Sequence, residues 1–182
     1  VPSYKTPGQA NNFFAYNTNV ASNGTRTRWS PQAYFYKGPF GLIAEYAEVS
    51  QDLINASNTR ATAQNNAWQL AGSWLLTGED ASFKGVKPYS PFKPGAEGGW
   101  GAFELLARYQ ENRIDASLPT AFRTTGNYAL TAKSTAVGAN WYLNESSKLA
   151  LNYEITNFEG GSLDGKSEKL LVARGDEVKQ GQ

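Results

Sequence analysis

The feature that most constrains this chain is a two-residue alternation of apolar and polar side chains, which recurs along most of its length. In residues 98–111 one set of alternate positions includes Phe103 and Leu105, and the other includes Glu104 and Arg108. Successive side chains of a strand point to opposite faces, so the pattern predicts a strand with one apolar and one polar face. A helix would also pair Glu104 with Arg108, but the neighbouring segments repeat the strand pattern and carry no helical signal.

Six further segments alternate in the same way, which makes seven strand candidates. They are residues 26–36, 40–50, 67–77, 128–144, 148–158 and 169–174. The run Lys37-Gly38-Pro39 predicts a tight turn, so the first two segments should form a hairpin. Pro31 has no backbone N–H, and we expect it at a bulge or a non-bonded position. Long loops are predicted at 51–66, 78–98 and 115–127, and loops of this length are often functional.

The composition removes several kinds of chemistry. The 182 residues include no histidine, cysteine or methionine, and the net charge is +1. The chain therefore has no imidazole base, no thiolate and no disulfide, and the spacing of an EF-hand calcium loop is absent. No clustered cations are interleaved with exposed aromatic residues, as nucleic-acid binding would require. We expect no cofactor, no metal ion and no nucleic-acid partner.

The same alternation occurs in membrane β-barrels and in soluble β-sandwiches. No run of eighteen apolar residues is present, so a transmembrane helix is excluded. There is no signal peptide at Val1, and we expect a mature form or a fragment. Short turns alternating with long loops, and aromatic residues on the apolar faces, are typical of a membrane barrel. Glu45, Glu104 and Arg108 at mid-strand favour the barrel, since they would face a water-filled lumen.

Four blocks of the sequence resemble the phosphate-selective porin O and P family, in that family's order. The blocks are residues 34–42 with 44–46, 74–79, 100–105 with 107–109, and 138–144. The resemblance implies an antiparallel, sixteen-stranded transmembrane barrel in the bacterial outer membrane. It also implies assembly as a homotrimer and the passage of small anions, phosphate or polyphosphate among them. Residues 1–182 would form roughly its last seven strands, within one barrel domain. The family ends on a strand with a terminal aromatic residue, whereas here Arg174 is followed by Gly-Asp-Glu-Val-Lys-Gln-Gly-Gln.

The candidate anion pathway begins with arginines predicted on the polar faces. Arg108 would attract phosphate through its guanidinium, or would pair with a carboxylate of a neighbouring strand such as Glu45. Glu104 shares the face of Arg108. Arg26 and Arg28 also share a face, where they would pass anions stepwise or would lie at the rim of the barrel.

Lysines complete the candidate pathway. Strand parity places the connection 78–98, with Lys84, Lys87 and Lys93, on the same side as the short turns at 37–39 and 145–147. It is too long for a simple turn, so we expect it to fold into the pore and bind anions at the inner mouth; a solvated loop is the alternative. Lys148 is a further candidate of the same kind. The arginines and lysines near the predicted long loops could form an outer funnel; they are Arg60, Arg113, Arg123 and Lys133.

The sequence thus predicts a passive outer-membrane channel for small anions. Two alternatives remain. One is a general or carbohydrate-specific porin. The other, from a different class, is a soluble or surface β-sandwich that binds carbohydrate through Tyr and Trp. We do not expect an enzyme: Glu45 and Glu104 could act as a glycosidase pair, but nothing in the sequence fixes their separation. Acidic and basic residues number 16 and 17, so anion selectivity would depend on their placement.

Overall fold

One antiparallel sheet dominates the computed structural model, which describes residues 1–6, 12–95 and 98–177, with side chains as far as Arg174. Its eight strands are β1 (Val20–Trp29), β2 (Gln32–Lys37), β3 (Phe40–Asn55), β4 (Arg60–Leu75), β5 (Ala102–Arg113), β6 (Thr131–Tyr142), β7 (Ser147–Glu159) and β8 (Ser167–Glu177). The order in the sheet is β1-β3-β4-β5-β6-β7-β8, and β2 also pairs with β3. The all-β, antiparallel prediction is confirmed. No helix within the described residues is long and apolar enough to cross a membrane.

Strands β1 and β2 are two parts of one extended stretch, since both pair with β3. The stretch is interrupted at Ser30 and Pro31. Pro31 has no N–H to give to the ladder, but its carbonyl accepts the N–H of Tyr46 at 3.1 Å. The interruption therefore lies where a missing donor does no harm, as expected for proline in a sheet. The predicted tight turn is present too, with Gly38 at a φ of 53° between β2 and β3.

The prediction of a long loop at 51–66 is wrong. Strands β3 and β4 pair continuously from Phe40 opposite Trp74 to Ile54 opposite Arg60, so only residues 56–59 form the turn. Asn58 adopts a φ of 60° there, a conformation that asparagine tolerates better than most residues. The polar composition was misleading because backbone hydrogen bonds hold these strand ends, and such bonds do not depend on apolar side chains.

The remaining connections define two ends of the sheet. At the Gly38 end lie the turns 38–39 and 143–146 and the connection 76–101; at the Asn58 end lie the turn 56–59 and the connections 114–130 and 160–166. The N–H of Ala81 donates to the carbonyl of Gly38 at 2.7 Å, and Lys87 pairs with Glu145 at 2.8 Å. Strand parity therefore predicted the correct end for the connection with the three lysines.

The register gives the sheet an apolar face and a polar face. The large side chains of the apolar face include Trp29, Phe35, Phe40, Leu42, Tyr46, Trp68, Leu70, Trp74, Phe103, Leu105, Tyr109, Val137, Trp141, Leu149, Leu151, Tyr153 and Leu171. Most of them are exposed. Among the described residues no second sheet covers this face, as it would in a sandwich, and an exposed apolar surface of this extent marks a contact with lipid or protein.

Aromatic side chains form two belts across the apolar face. The ring pairs are Phe40–Trp74 and Phe103–Trp141 at the Gly38 end, and Trp29–Tyr46 and Trp68–Tyr109 toward the Asn58 end, with centroids between 5.2 Å and 6.1 Å apart. Phe40 and Tyr46 are six residues apart in β3, which is about 20 Å along a strand. The interval carries only Leu42 and Ala44 on this face. Two aromatic belts that flank an aliphatic band are characteristic of a wall that spans a bilayer.

Two buried clusters lie on the polar face, one at each end. The cluster at the Asn58 end comprises Phe13, Phe14, Tyr16, Leu53, Ala63, Ile114, Leu118, Phe122, Ala129, Ala132 and Phe158. The cluster at the Gly38 end comprises Leu75, Ala81, Val86, Ala102 and Tyr142, with Tyr36 packed against it. Chain segments outside the strands therefore cover the polar face at both ends and leave its polar middle open.

A paired substitution in β7 tests the assignment of the two faces. Leu151 lies on the apolar face between Ala139 and Ala173, and Asn152 lies on the polar face between Gly138 and Val172. In lipid vesicles Leu151→Arg should lower the free energy of unfolding by about 2–4 kcal/mol, because the charge enters the hydrocarbon. Asn152→Arg, the matched control, should lower it by under about 1 kcal/mol. Equal losses in urea titrations would contradict the assignment.

Candidate functional site: the polar face of the sheet

An ion pair between strands β5 and β7 lies in the middle of the polar face. The Arg108 guanidinium donates to the Glu154 carboxylate at 2.7 Å, and the two side chains are 31% and 9% exposed. The strands are not neighbours; Ala136 of β6 stands between the two residues in the register. Its methyl group is small enough for the long arginine side chain to pass over it. The sequence left open whether Arg108 binds anions or pairs with a carboxylate of a neighbouring strand; the structure shows a pair with a carboxylate two strands away.

The proposed partner of Arg108, Glu45, was wrong. Glu45 lies on β3, which does not adjoin β5, and the register places it opposite Gln69 and Gln32. The side-chain amides of these two residues donate to its carboxylate oxygens, Gln32 at 2.9 Å and Gln69 at 2.7 Å. Two neutral donors therefore satisfy the Glu45 carboxylate, and the arginine is held by Glu154 instead.

Glu104 is held by neutral donors as well. Asn140 Nδ2 and the Tyr142 hydroxyl each donate to its Oε2 at 2.8 Å, and only 7% of Glu104 is exposed. Glu45 is level with Gln110 in the register, six residues from Glu104, which is about 20 Å along the strand. Glycosidase carboxylates lie within about 10 Å of each other, so the geometry does not support a hydrolytic pair.

Arg26 and Arg28 lie on the polar face of β1, opposite Gln51 and Val49 of β3. Both are exposed. With Tyr4 and Asn65 they line a pocket of about 240 Å³ between the sheet and the first residues of the chain. The prediction that these arginines share a face agrees with the register, and the pocket places them beside the segment that covers the Asn58 end.

A second basic group lies across the sheet on β7 and β8. Lys148 and Arg174 line a pocket of about 540 Å³ together with Arg108, Asn152 and Glu154. The Lys148 ammonium lies 5.7 Å from the centroid of the Tyr142 ring, within the range of a cation–π interaction. Arg174 was not among the predicted site residues, because its strand was recognised only in part.

The three lysines of the connection 76–101 occupy different surroundings. Lys87 forms the exposed ion pair with Glu145, whose hydrogen bond and charge raise the pKa of the lysine. Lys84 follows Phe83, which stacks on Tyr34 of the polar face at 6.0 Å. Lys93 follows Phe92, which packs on Trp141 of the apolar face at 5.2 Å. The three therefore do not converge on one site, although all lie at the predicted end.

The basic residues assigned to an outer funnel are largely occupied by other contacts. Arg113 pairs with Glu111 at 2.6 Å, and Lys133 pairs with Glu159 at 2.6 Å. The Arg123 guanidinium donates to the carbonyls of residues 116 and 118. Pairing reduces the positive potential of each group, so the described part of the chain gives little support to a funnel built from these residues.

Sequence reasoning missed two residues at the contact between the polar face and the first segment (residues 1–6 and 12–19). Lys5 lines a pocket of about 270 Å³ with Glu45, Gln69 and Gln110. Asn65 is 5% exposed and binds the side chains of Tyr4 and Tyr16 and the backbone of Asp115. The segment is irregular and shows no periodicity, so no pattern predicted its contacts. The aromatic run at Phe13, Phe14 and Tyr16 was the one available signal that this region is packed.

A double-mutant cycle measures the Arg108–Glu154 pair. Arg108→Gln and Glu154→Gln should couple by about 1–2 kcal/mol in unfolding free energy, since a charge-assisted hydrogen bond is weakened by partial solvent exposure. The same cycle on Lys87 and Glu145, which are far more exposed, should show much weaker coupling. Coupling of equal size in the two cycles would mean that Arg108 is solvated rather than held against Glu154.

Comparison with known proteins identifies the family to which this sheet belongs. The sequence profile of the family described as phosphate-selective porin O and P matches residues 7–157. Over 154 residues the chain is 26% identical to Porin O of Pseudomonas aeruginosa, and the alignment covers 82% of this chain and 32% of that protein. The chain thus spans 32% of the length of this relative. The profile match extends over most of the chain, and the chain belongs to the phosphate-selective porin O and P family, which consists of channels and not of enzymes.

Proposed function

We propose that this chain forms part of the wall of an outer-membrane channel, with its apolar face in lipid and its polar face lining a water-filled lumen. The observation that carries the proposal is the pair of aromatic belts on the apolar face, about 20 Å apart along the strands. On the opposite face the same strands carry Glu45, Glu104, Arg108 and Glu154. A soluble protein would bury the apolar face, whereas most large side chains of that face are exposed in the described sheet.

The barrel needs more strands than this sheet provides. Among the described residues β8 forms one edge of the sheet, and β1 with β2 forms the other. Lipid offers no hydrogen bonds to the unpaired backbone groups of an edge, so a membrane sheet must close on itself. We infer that further strands of the same barrel pair with both edges. By family resemblance we propose a bacterial outer-membrane location and a homotrimer.

The solute we propose is a small anion, with phosphate as the leading candidate. The relative carries the name Porin O, and its family is described as phosphate-selective. In the middle of the polar face three carboxylates are engaged, Glu154 by Arg108 and Glu45 and Glu104 by neutral donors. Engaged carboxylates repel an anion less effectively than free ones, since their hydrogen bonds already stabilise the charge. Placement therefore favours anions although the total charges nearly balance.

The cations lie in two groups along this face. Arg26, Arg28 and Lys5 line neighbouring pockets near β1, and Lys148 and Arg174 line the pocket on β7 and β8. Several sites of moderate attraction allow an anion to enter and also to leave, as conduction requires. We place Lys84 of the connection 76–101 near the mouth at the Gly38 end, with Lys87 and Lys93 more peripheral.

A carbohydrate channel is the second candidate, on one specific observation. Tyr34 and Phe83 stack with their centroids 6.0 Å apart and their planes inclined by 21°, and they are 69% and 77% exposed. Exposed rings on the lumen side of a mouth can stack against the apolar faces of sugars, because their own faces are hydrophobic. The group of cations along the same wall gives the anion proposal more support.

Ion selectivity tests the arginines of β1. In planar bilayers Arg26→Gln with Arg28→Gln should lower the ratio of chloride to potassium permeability several-fold, because two exposed lumen charges are lost. The readout is the reversal potential in a salt gradient. Lys133→Gln is the matched control, since Lys133 lies at the same end but on the apolar face, paired with Glu159. Unchanged selectivity in the double variant would contradict a role for these arginines.

Solute competition separates the two candidate functions. Phosphate added to chloride-conducting channels should reduce the current at lower concentrations than a neutral oligosaccharide does, because the lumen cations bind the doubly charged anion more strongly. Tyr34→Ala should leave the phosphate effect intact. Block by the oligosaccharide alone, lost in Tyr34→Ala, would favour the carbohydrate channel.

A further inference from the structure

A single buried amide joins three parts of the chain at the Asn58 end. Asn65 lies on the polar face of β4, and its Nδ2 donates to the hydroxyls of Tyr4 and Tyr16, each at 2.8 Å. Its Oδ1 accepts the backbone N–H of Asp115 at 2.9 Å. Both hydrogens of the amide nitrogen and the carbonyl oxygen are therefore used, and the residue is only 5% exposed.

Those partners belong to segments that lie across the polar face. Tyr4 and Tyr16 belong to the first segment, residues 1–6 and 12–19. Asp115 lies at the start of the connection 114–130. The first segment and the connection also contact each other, because the N–H of Asn17 donates to the carbonyl of Phe122 at 3.0 Å and that of Thr124 donates to the carbonyl of Ala15 at 3.0 Å. Both segments cover the sheet where its polar face would border the lumen.

The Asp115 side chain strengthens the same junction. Its carboxylate accepts the backbone N–H of Gln64 at 3.0 Å and that of Ser117 at 2.8 Å. Burial raises the pKa of this carboxyl, but hydrogen bonds from Ser117 and from Gln64 outweigh burial and leave the pKa below its usual value. Asp115 is thus tied to the residue before Asn65, while Asn65 is tied to the backbone of Asp115. Hydrogen bonds from the backbone and from the side chain of Asp115 therefore hold the connection to β4.

We propose that Asn65 is the positioning residue that holds the first segment and the connection 114–130 against the lumen wall, and so fixes the width of the passage at the Asn58 end. The inference rests on the proposed channel function and adds a residue-level determinant to it. The three partners need two donors and one acceptor at one point, and a side-chain amide supplies both. Leucine has the same branching at Cγ and the same number of side-chain heavy atoms, but none of these polar groups.

Neighbouring residues of β4 provide a matched control. Asn66 follows Asn65 in sequence but lies on the opposite face, opposite Glu48 and Arg113. Asn65→Leu should increase single-channel conductance and add brief current fluctuations, because the released segments no longer narrow the passage steadily. Asn66→Leu should conduct as the wild type does. Tyr4→Phe with Tyr16→Phe, which keeps both rings and removes their hydroxyls, should give an intermediate increase.

A chemical readout tests positioning without relying on conduction. The chain contains no cysteine. Thr6 is 1% exposed, and its hydroxyl has no hydrogen-bond partner among the residues that the structure describes. Thr6→Cys therefore introduces one buried thiol in the first segment at little cost. Added to the reconstituted complete protein, a polar maleimide should label Cys at this position on the order of tenfold faster with Asn65→Leu than with Asn66→Leu, since labelling requires local opening.

The two measurements separate the possible failures. If the wild type forms no ion channel, the proposed function fails, and the labelling rates alone decide whether Asn65 positions the segments. If the channel conducts but Asn65→Leu matches Asn66→Leu in conductance, Asn65 does not set the width and the inference is overturned. Equal labelling rates in the two variants would overturn the positioning role. A purely stabilising role would reduce the number of channels and leave the conductance of each unchanged.

Discussion

Satisfaction of the backbone hydrogen bonds is the constraint on which the rest of this structure depends. From β3 to β8 the strands pair without interruption, so that the polar main chain is enclosed within the sheet and only side chains project from it. In lipid this is the one way for an extended chain to avoid unpaired N–H and C=O groups. Pro31, which cannot donate, stands at the single interruption between β1 and β2, where the loss of a ladder bond is tolerated.

Once the backbone hydrogen bonds between the strands are formed, the two faces of each strand meet different environments. The face with the aromatic belts is apolar and suits contact with lipid. The opposite face carries charges whose transfer into hydrocarbon would be costly in free energy. The polar side chains then satisfy one another across strands. Arg108 reaches Glu154 over Ala136, and Glu104 and Glu45 accept hydrogen bonds from amides and a phenol. Hydrogen bonds and an ion pair between side chains therefore connect the strands in the middle of the wall, which has no apolar core of its own.

Apolar packing is concentrated at the two ends of the polar face, where chain segments outside the strands fold over the sheet. At the Gly38 end the connection 76–101 contributes Ala81 and Val86, and at the Asn58 end the first segment contributes Phe13 and Phe14. These clusters bury side chains that the wall strands do not supply. They also place Lys84 and Lys5 near opposite ends of the polar middle, so packing and the placement of charge are coupled.

The sequence by itself determined the strands, their two faces and the family. The two-residue alternation and the four ordered blocks can be read directly along the chain, without knowledge of the tertiary structure. It also placed Arg108 and Glu104 on one face and the connection with the three lysines at the correct end. It did not determine that Arg108 meets Glu154, that residues 51–66 continue the strands, or that Lys5 and Asn65 belong to the site. Those depend on register and on the folding of irregular segments over the sheet, and only the tertiary structure decides them, because contacts between distant strands leave no periodic trace along the chain.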